Sequence, residues 1–212
     1  MIVRVLERVR LARRVDELLV ATDDERIAEA VRASGGVAVM TPVDLPAGSD
    51  RVAMAAAELE VDVVVNVQGD EPLIDPATID AVVAALDAPG ADVATAMSGL
   101  DEAEAHATGR VKVVTDLDGR ALYFSRAAIP HGGPWWVHVG IYAFRKAALM
   151  RFASLSPTAL ELAERLEQLR LLEHGVPIRV VPVARPGRSV DTPEDLEFVR
   201  ALLAGPADPR PL

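Results

Sequence analysis

The sequence contains no cysteine, and no apolar run in it approaches the ~20 residues that a membrane-spanning helix needs. Disulfide bonds and thiolate metal sites are therefore excluded. The amino-terminal segment MIVRVLERVRLARR mixes arginines into its apolar positions and lacks the hydrophobic core of a signal peptide. We expect a cytoplasmic protein that has no membrane partner.

Basic residues are also scarce, with 22 lysines and arginines against 32 aspartates and glutamates and a formal net charge of −10. Proteins that bind a nucleic-acid backbone usually carry a basic surface stripe, so we expect no nucleic-acid partner. An acidic protein that handles phosphates would instead use a divalent cation as its source of positive charge.

The pattern of apolar residues predicts an α/β fold. Half of the 212 residues are hydrophobic, which suffices for one domain with a sizeable core. Short apolar runs alternate with amphipathic helices, of which the second begins at a capping box formed by Thr22 and Glu25. Strand–helix alternation is typical of a doubly wound, mostly parallel sheet. The predicted strands are residues 18–21, 37–40 and 61–67. The third helix of this part is predicted at roughly residues 50–59 and the fourth at residues 76–86.

The alternation of strands and helices ends after Asp92, where several strand-like segments follow one another. Two of them flank Asp118-Gly119, which is typical of a hairpin turn. A long helix is predicted from Ser156-Pro157 to His174-Gly175, and a last helix begins at Thr192-Pro193.

The most informative stretch is VDVVVNVQGDEP, in which a valine-rich strand runs directly into a polar cluster. In open α/β sheets, ligands bind at the carboxyl ends of strands. Gly69 permits a close backbone approach, and the carboxylate of Asp70 suits a hard cation. Polar clusters elsewhere have simple structural explanations when taken singly, such as helix capping or surface exposure. These are Thr22-Asp23, Gly48-Ser49-Asp50-Arg51, Tyr123-Phe124-Ser125-Arg126 and Val190-Asp191-Thr192-Pro193.

Taken together and in order, these motifs resemble the cytidylyltransferases that activate 3-deoxy-manno-octulosonate (Kdo), the CMP-Kdo synthetases. The resemblance is carried by VATDDERIAEAV, GSDR, NVQGDEP, ALYFSRAAIP, HVGIY, LEQLR and VDTPEDLE, and extends from residue 1 to about residue 203. It implies a Rossmann-like nucleotidyltransferase domain over residues 1–203. It also implies an inserted β-rich dimerisation region at roughly 98–172 and a homodimer. The glycine- and proline-rich end of the sequence separately predicts a flexible tail at 204–212.

The resemblance further implies that CTP and Kdo are joined to give CMP-Kdo and pyrophosphate, for lipopolysaccharide biosynthesis. Asp70 and Asp191 match the aspartates that bind Mg²⁺ in this family, and Arg126 is expected to bind the Kdo carboxylate. Gly48, Ser49 and Arg51 match nucleotide-binding positions. The positions expected to line the sugar pocket are Gln68, Gly69, His138, Tyr142, Glu167 and Gln168.

Several of these residues also have plain structural explanations. A single histidine on an apolar strand, such as His138, is more often a packed residue than a ligand-binding one. Glu167 and Gln168 lie on a predicted helix, where a solvated face or a dimer contact would explain them equally well.

The chain departs from the family pattern in two places. The family opens with a strand and an arginine- and glycine-rich loop that binds the CTP triphosphate, and this sequence starts after that element. The loop at residues 130–136 is also shorter than in the family. Two alternatives therefore stay open: a nucleotide-sugar-binding relative with weak or no activity, and an acylneuraminate cytidylyltransferase.

Overall fold

The computed structural model describes residues 1–184, 187, 189–190 and 192–204. Helices and strands alternate in the first part of the chain, as expected. In order, they are α1 (Ile2–Val9), β1 (Leu19–Thr22), α2 (Glu25–Ala33), β2 (Val37–Met40), α3 (Gly48–Ala56), β3 (Val63–Val67) and α4 (Pro76–Ala85).

The second part is richer in strands. It contains β4 (Val93–Leu100), α5 (Glu102–Ala105), β5 (Lys112–Thr115), β6 (Ala121–Ser125), β7 (Trp135–Arg145), α6 (Lys146–Ser154), α7 (Ala159–Glu164), α8 (Gln168–Glu173), β8 (Arg179–Pro182) and α9 (Pro193–Ala204). None of the helices in the described ranges is long and apolar enough to cross a lipid bilayer.

The central sheet is organised around β7, the longest strand. Its second half pairs with β3, its first half contacts β5, and β4 lies along its other edge. Both β3 and β4 are antiparallel to β7, and β8 is parallel to β4, so β3, β4 and β8 share one direction. A separate parallel pair is formed by β1 and β2. The α/β fold with a mostly parallel core is thus confirmed.

Helices cover both faces of the sheet because its strands are apolar on both sides. On one face, Tyr142 and Phe144 pack with Leu149, Phe152 and Leu169 from α6 and α8. The opposite face is formed by the alternate residues of β7 and by the apolar sides of α1 and α4, with Val5, Val9, Ile79, Val82, Ile141 and Ala143. Alternation along β7 therefore divides the core into two layers.

Two of the local predictions are confirmed. Asp75 caps α4 by accepting a hydrogen bond from the backbone N–H of Ala77, and Pro76 occupies the first helical position. The Asp118-Gly119 turn joins the antiparallel strands β5 and β6. Gly119 has φ of +76°, a left-handed conformation that glycine adopts without steric cost.

The capping box predicted for α2 is wrong, although the helix itself is present. Asp24 is the N-cap, and its Oδ1 accepts a hydrogen bond of 2.8 Å from the backbone N–H of Arg26. The hydroxyl of Thr22 accepts instead from the backbone N–H of Asp24 at 3.1 Å. Two backbone N–H groups at the start of α2, those of Asp24 and Arg26, are therefore each bonded to a side-chain oxygen two residues earlier.

The single long helix predicted for residues 156–174 is also wrong, because the segment forms α7 and α8 with a break between them. Thr158, rather than Ser156, is the N-cap of α7, and its backbone N–H donates to Glu161 Oε2 at 3.1 Å. Arg165 then adopts a left-handed conformation with φ of +56°, which ends α7. The break turns α8 so that Gln168 and Arg170 are both buried, an arrangement that apolar periodicity alone does not reveal.

Residues 98–172 hold the end of β4, α5, β5, β6, all of β7, α6, α7 and most of α8, and their strands continue the main sheet through β7. Their predicted role as a dimerisation region stays a prediction. Of the predicted flexible tail, Ala204 ends α9, and residues 205–212 lie outside the described part of the chain.

Candidate active site

Polar residues meet where β3 ends and α3 begins. A Cβ atom placed on Gly48 would lie 3.4 Å from Gln68 Oε1, and one on Gly140 of β7 would lie 3.7 Å from Gln68 Cγ. Both are ordinary contact distances, so the side chain of Gln68 lies against Gly48 on one side and Gly140 on the other. This places a predicted nucleotide-binding position, Gly48, directly beside a predicted sugar-binding position.

Ser49 and Glu167 join the two halves of the site, although 118 positions separate them in the chain. The Ser49 hydroxyl donates to Glu167 Oε1 at 2.7 Å, and its backbone N–H donates to Oε2 at 3.0 Å. Asn66 of β3 donates to the Ser49 hydroxyl at 3.1 Å. The pKa of Glu167 is raised because burial disfavours its charged form. The two hydrogen bonds from Ser49 lower the pKa, but each has a smaller effect than burial. Both carboxylate oxygens of Glu167 are thus engaged within the protein.

Arg51 links the first turn of α3 to the carboxyl ends of β1 and β2. Its Nη2 donates to Asp23 Oδ2 at 2.9 Å, and its Nη1 donates to the hydroxyl of Thr41 and, at 3.1 Å, to the carbonyl of Pro42. The Arg51 side chain keeps 19% of its surface exposed. A guanidinium that is held in place and still partly exposed is well suited to contact an anionic ligand.

Asp70 lies in the turn just beyond the end of β3 and is half-buried. Its backbone carbonyl accepts a hydrogen bond of 2.9 Å from the backbone N–H of Val190, the residue before Asp191. Asp191 itself lies outside the described residues. Within the described ranges, no group of three or more histidine, aspartate or glutamate side chains could hold a metal ion. Two carboxylates would still fit Mg²⁺, which prefers oxygen ligands and retains waters and substrate phosphates as the remaining ones. The magnesium site stays a prediction.

Gly69 is exposed, and its backbone is not in the left-handed region. A Cβ atom at this position would meet only Ile2 Cδ1, at an ordinary contact distance of 3.6 Å. The ligand-free fold therefore does not require glycine here. The close ligand approach expected at Gly69 stays a prediction.

His138 is packed and hydrogen-bonded at the same time. Its Nε2 lies 2.8 Å from the hydroxyl oxygen of Thr95, whose own proton is donated to the carbonyl of Ile141 at 2.7 Å. Because the hydroxyl has only one proton, the ring must donate from Nε2, which leaves Nδ1 as an acceptor. Burial lowers the pKa of His138 to about 3, so the ring is neutral at physiological pH.

Tyr142 lies next to His138, with ring centroids 5.4 Å apart, and belongs to the buried core. Burial raises its pKa well above the ordinary value, with the charge of Glu167 as a smaller contribution. Tyr142 is therefore a neutral phenol that supports one wall of the site through packing.

Arg126 is engaged by three backbone carbonyls. Its Nε donates to the carbonyl of Glu164 at 3.0 Å, and its terminal nitrogens donate to the carbonyls of Thr108 and Arg165. The backbone N–H of Arg126 donates in turn to Glu164 Oε2 at 3.0 Å. Arg126 thus holds the end of α7 in place, and its predicted contact with the Kdo carboxylate stays a prediction.

Gln168 is 3% exposed, and its Nε2 has no hydrogen-bond partner among the described residues. An unpaired buried donor is costly, and a bound ligand is one way to satisfy it. The alternative of a solvated helix face is therefore wrong for Gln168.

Sequence reasoning missed four residues that shape the site. Asn66 supports Ser49, and its interruption of the valine run was a usable signal. Thr95 orients His138, and Glu164 accepts from Ser125 Oγ at 2.7 Å; neither shows a distinctive pattern in the sequence. Glu71 belongs to the QGDEP motif and is 7% exposed, and a Cβ atom on Gly187 would come within 2.4 Å of its Oε2.

A doubly wound α/β sheet with polar residues at the carboxyl ends of β1 and β3 is typical of the α/β proteins that bind nucleotides. The sequence profile of the Cytidylyltransferase family matches residues 1–178. A solved CMP:2-keto-3-deoxy-manno-octonic acid synthetase complexed with CTP superposes with a TM-score of 0.90 and 42% identity, over 96% of this chain and 87% of that one.

Two proteins named 3-deoxy-manno-octulosonate cytidylyltransferase are similar in sequence. The one from Anaeromyxobacter sp. (strain Fw109-5) is 52% identical over 99% of this chain and 88% of its own length. The one from Geobacter sulfurreducens is 47% identical over 94% of this chain and 87% of its own length. The chain belongs to the 3-deoxy-manno-octulosonate cytidylyltransferase family.

Proposed function

We propose that the protein transfers the cytidylyl group of CTP to Kdo, which gives CMP-Kdo and pyrophosphate. The observation that carries this proposal is the double hydrogen bond between Ser49 and Glu167. It fixes the helix that begins the predicted nucleotide site against the helix that carries predicted sugar-binding residues. The names of relatives that are about half identical over nearly the whole chain support the same substrates.

In this reaction the anomeric hydroxyl of Kdo attacks the α-phosphorus of CTP. A new oxygen–phosphorus bond forms, the bond to the β-phosphate oxygen breaks, and pyrophosphate leaves with that electron pair, while the hydroxyl proton passes to solvent. No protein nucleophile is required, so the protein contributes positioning and charge neutralisation. Arg51 supplies positive charge at the nucleotide side, whereas Gln68 and the neutral ring of His138 supply hydrogen bonds to the sugar.

We propose that Asp70 and Asp191 hold a Mg²⁺ ion. When bound, the ion would lower the pKa of the sugar hydroxyl and shield the phosphate charges. The support for this site is the hydrogen bond between Val190 and Asp70, together with the preference of Mg²⁺ for carboxylate oxygen.

We also propose that the protein acts as a homodimer in the cytoplasm, in lipopolysaccharide biosynthesis. The strand β6 forms one edge of the central sheet, and Leu122 on this strand is 61% exposed. On α7, Leu162 is 67% exposed. Exposed leucines on an edge strand and a neighbouring helix favour contact with a second chain. Analytical ultracentrifugation of the protein and of Leu122→Glu tests this, since only the unmodified chain should sediment as a dimer.

The experiment that tests the activity is pyrophosphate release from CTP with Kdo, compared with N-acetylneuraminate as the acceptor. With CTP present, we expect pyrophosphate release with Kdo as the acceptor and none with N-acetylneuraminate. This release should require added Mg²⁺. Release with N-acetylneuraminate would favour an acylneuraminate cytidylyltransferase. Binding of CTP or Kdo without any release would instead indicate a binding protein.

A further inference from the structure

The strands β4 and β7 lose their register at one place, immediately after Thr95. Two residues of β7, Gly140 and Ile141, have no register partner along the described length of β4 at this bulge. The side chain of Thr95 compensates in part, because its hydroxyl donates to the carbonyl of Ile141 at 2.7 Å. Bulges often lie next to active sites, where they redirect a side chain. His138 comes two residues before this bulge, so Thr95 is well placed to orient its ring.

The single proton of the Thr95 hydroxyl decides which way its hydrogen bonds point. Three groups lie near its oxygen: His138 Nε2 at 2.8 Å, the carbonyl of Ile141 at 2.7 Å and that of Val139 at 3.3 Å. Carbonyl oxygens only accept, and two oxygens 2.7 Å apart would repel each other without a proton between them. The hydroxyl proton therefore points to the Ile141 carbonyl, and the hydroxyl oxygen accepts from Nε2. The backbone of β7 thus sets the direction of the bond to His138.

Aromatic packing keeps the His138 ring in this orientation. Phe124 contacts it edge-on, with ring centroids 5.0 Å apart and planes at 78°, and the centroid of Tyr142 lies 5.4 Å away. A half-turn of the ring would bring a carbon atom to the Thr95 hydroxyl and lose the hydrogen bond. Thr95 is completely buried, whereas His138 is only half-buried, and no described residue bonds to its Nδ1. Nδ1 is therefore the ring nitrogen that is left for a ligand.

We propose that Thr95 is a positioning residue, which holds His138 in the Nε2–H tautomer so that Nδ1 accepts a hydrogen bond from a hydroxyl of the sugar acid. This inference rests on the proposed function, because it concerns the pocket that takes the sugar. A bare ring nitrogen attracts a hydroxyl donor and repels a carboxylate oxygen. In the opposite tautomer, Nδ1–H would favour the carboxylate. Thr95 therefore determines which polar group of the acceptor can lie against β7, although it is too deeply buried to touch the ligand.

Nitrogen-15 NMR of the full chain, labelled at histidine and without substrates, measures the tautomer directly. Spectra are taken at about pH 8.5, above the ordinary pKa of histidine, where a protonated ring nitrogen and a bare one resonate far apart. His174 is an internal reference with the opposite tautomer, since its Nδ1 lies 2.8 Å from the carbonyl of Arg170 and must donate. We expect Nε2–H at His138 and Nδ1–H at His174.

Three variants separate the hydroxyl of Thr95 from its shape. Thr95→Val removes the hydroxyl and keeps the branched shape, so His138 should become a mixture of both tautomers. Thr95→Ser keeps the hydroxyl and should preserve Nε2–H. Thr78→Val is the matched control and should leave His138 unchanged, because Thr78 is 2% exposed and lies on α4 against the opposite face of the sheet. Thr95→Ala replaces Thr95→Val if the latter does not fold.

Kdo is the probe for the ligand half of the inference. Its binding should shift the Nδ1 resonance of His138, since a donated proton perturbs a bare nitrogen strongly, while Nδ1 of His174 stays unchanged. In steady-state kinetics, Thr95→Val should raise the KM for Kdo by roughly twofold to tenfold, the equivalent of one neutral hydrogen bond, and leave the KM for CTP nearly unchanged. Thr95→Ser should restore the KM of the unmodified chain.

An Nδ1–H resonance at His138 in the unmodified chain would overturn the proposal, and so would an unchanged tautomer in Thr95→Val. A KM for Kdo that rises no more than the KM for CTP would show that Thr95 only stabilises the fold. If pyrophosphate is released from CTP and Kdo but Kdo leaves Nδ1 unshifted, this inference fails and the proposed function stands. If Kdo shifts Nδ1 without any pyrophosphate release, only the proposed function fails. Neither release nor shift would refute both.

Discussion

Arg170 is a buried cation that holds α3 against α8, and replacing it should destabilise the protein strongly. Its Nη1 lies 3.1 Å from Asp50 Oδ1, and its Nη2 lies 2.6 Å from Glu161 Oε1. The guanidinium carbon also lies 4.2 Å from the ring centroid of Phe152. The Arg170 side chain is 1% exposed, so water screens none of these interactions appreciably.

In Arg170→Met, the carboxylates of Asp50 and Glu161 would remain buried without their cation. Removing one partner from a buried ionic network typically costs about 3–5 kcal/mol, because the remaining charges are left uncompensated. For a chain of this length, that loss corresponds to a fall in Tm of roughly 6–20 °C. Urea unfolding followed by circular dichroism measures the change in the free energy of unfolding.

Arg200→Met is a matched control. Arg200 donates to Glu197 at 2.6 Å, as short as the Arg170–Glu161 contact, but its side chain is 65% exposed. An exposed pair of this kind contributes about 1 kcal/mol or less. If Arg170→Met cost no more than Arg200→Met, the assignment of Arg170 as a structural clamp would be refuted. The triple variant with Asp50→Asn and Glu161→Gln should recover part of the loss, since it removes the unpaired charges.

Four further predictions concern the site. Asp70→Asn should abolish pyrophosphate release with the circular dichroism spectrum unchanged; normal turnover would remove Asp70 from the metal site. Arg126→Ala should raise the KM for Kdo more than that for CTP, and equal changes would make Arg126 purely structural. The unfolding free energy should fall as pH drops from 6.5 towards 3, because His138 binds a proton more readily in the unfolded chain; an NMR titration showing a cationic His138 ring at pH 5 would contradict this. Lys112→Met should cost about 2–4 kcal/mol in urea unfolding, since the carbonyls of Ala107, Arg110 and Arg126 would all lose its Nζ as a donor; a loss below 1 kcal/mol would refute it.

Much of the fold could be predicted because its determinants are local. The valine run of β3, the Asp75-Pro76 start of α4 and the Asp118-Gly119 turn each depend on neighbouring residues. The break between α7 and α8 could not be predicted in this way. It depends on burying Arg170 against Asp50, a partner 120 positions away, and the apolar spacing of the segment is compatible with one continuous helix.

The candidate site shows the same division. The QGDEP motif stood out because it follows an apolar strand, and ligands bind at the carboxyl ends of strands in open α/β sheets. The hydrogen bonds that orient the site were not recognisable, since Glu167 accepts from Ser49 and His138 donates to Thr95 across 118 and 43 positions.

Local sequence patterns were sufficient to predict the α/β class, the family and the residue types available for chemistry at the ends of the strands. Which of those residues contact one another, and that His138 is neutral, emerged only from the packing of the whole chain. The physical reason is that periodicity and turn residues report how a segment meets its own surroundings. The protonation state of a side chain and its hydrogen-bond partners depend on which distant groups are buried beside it. Those neighbours are fixed only when the whole chain packs.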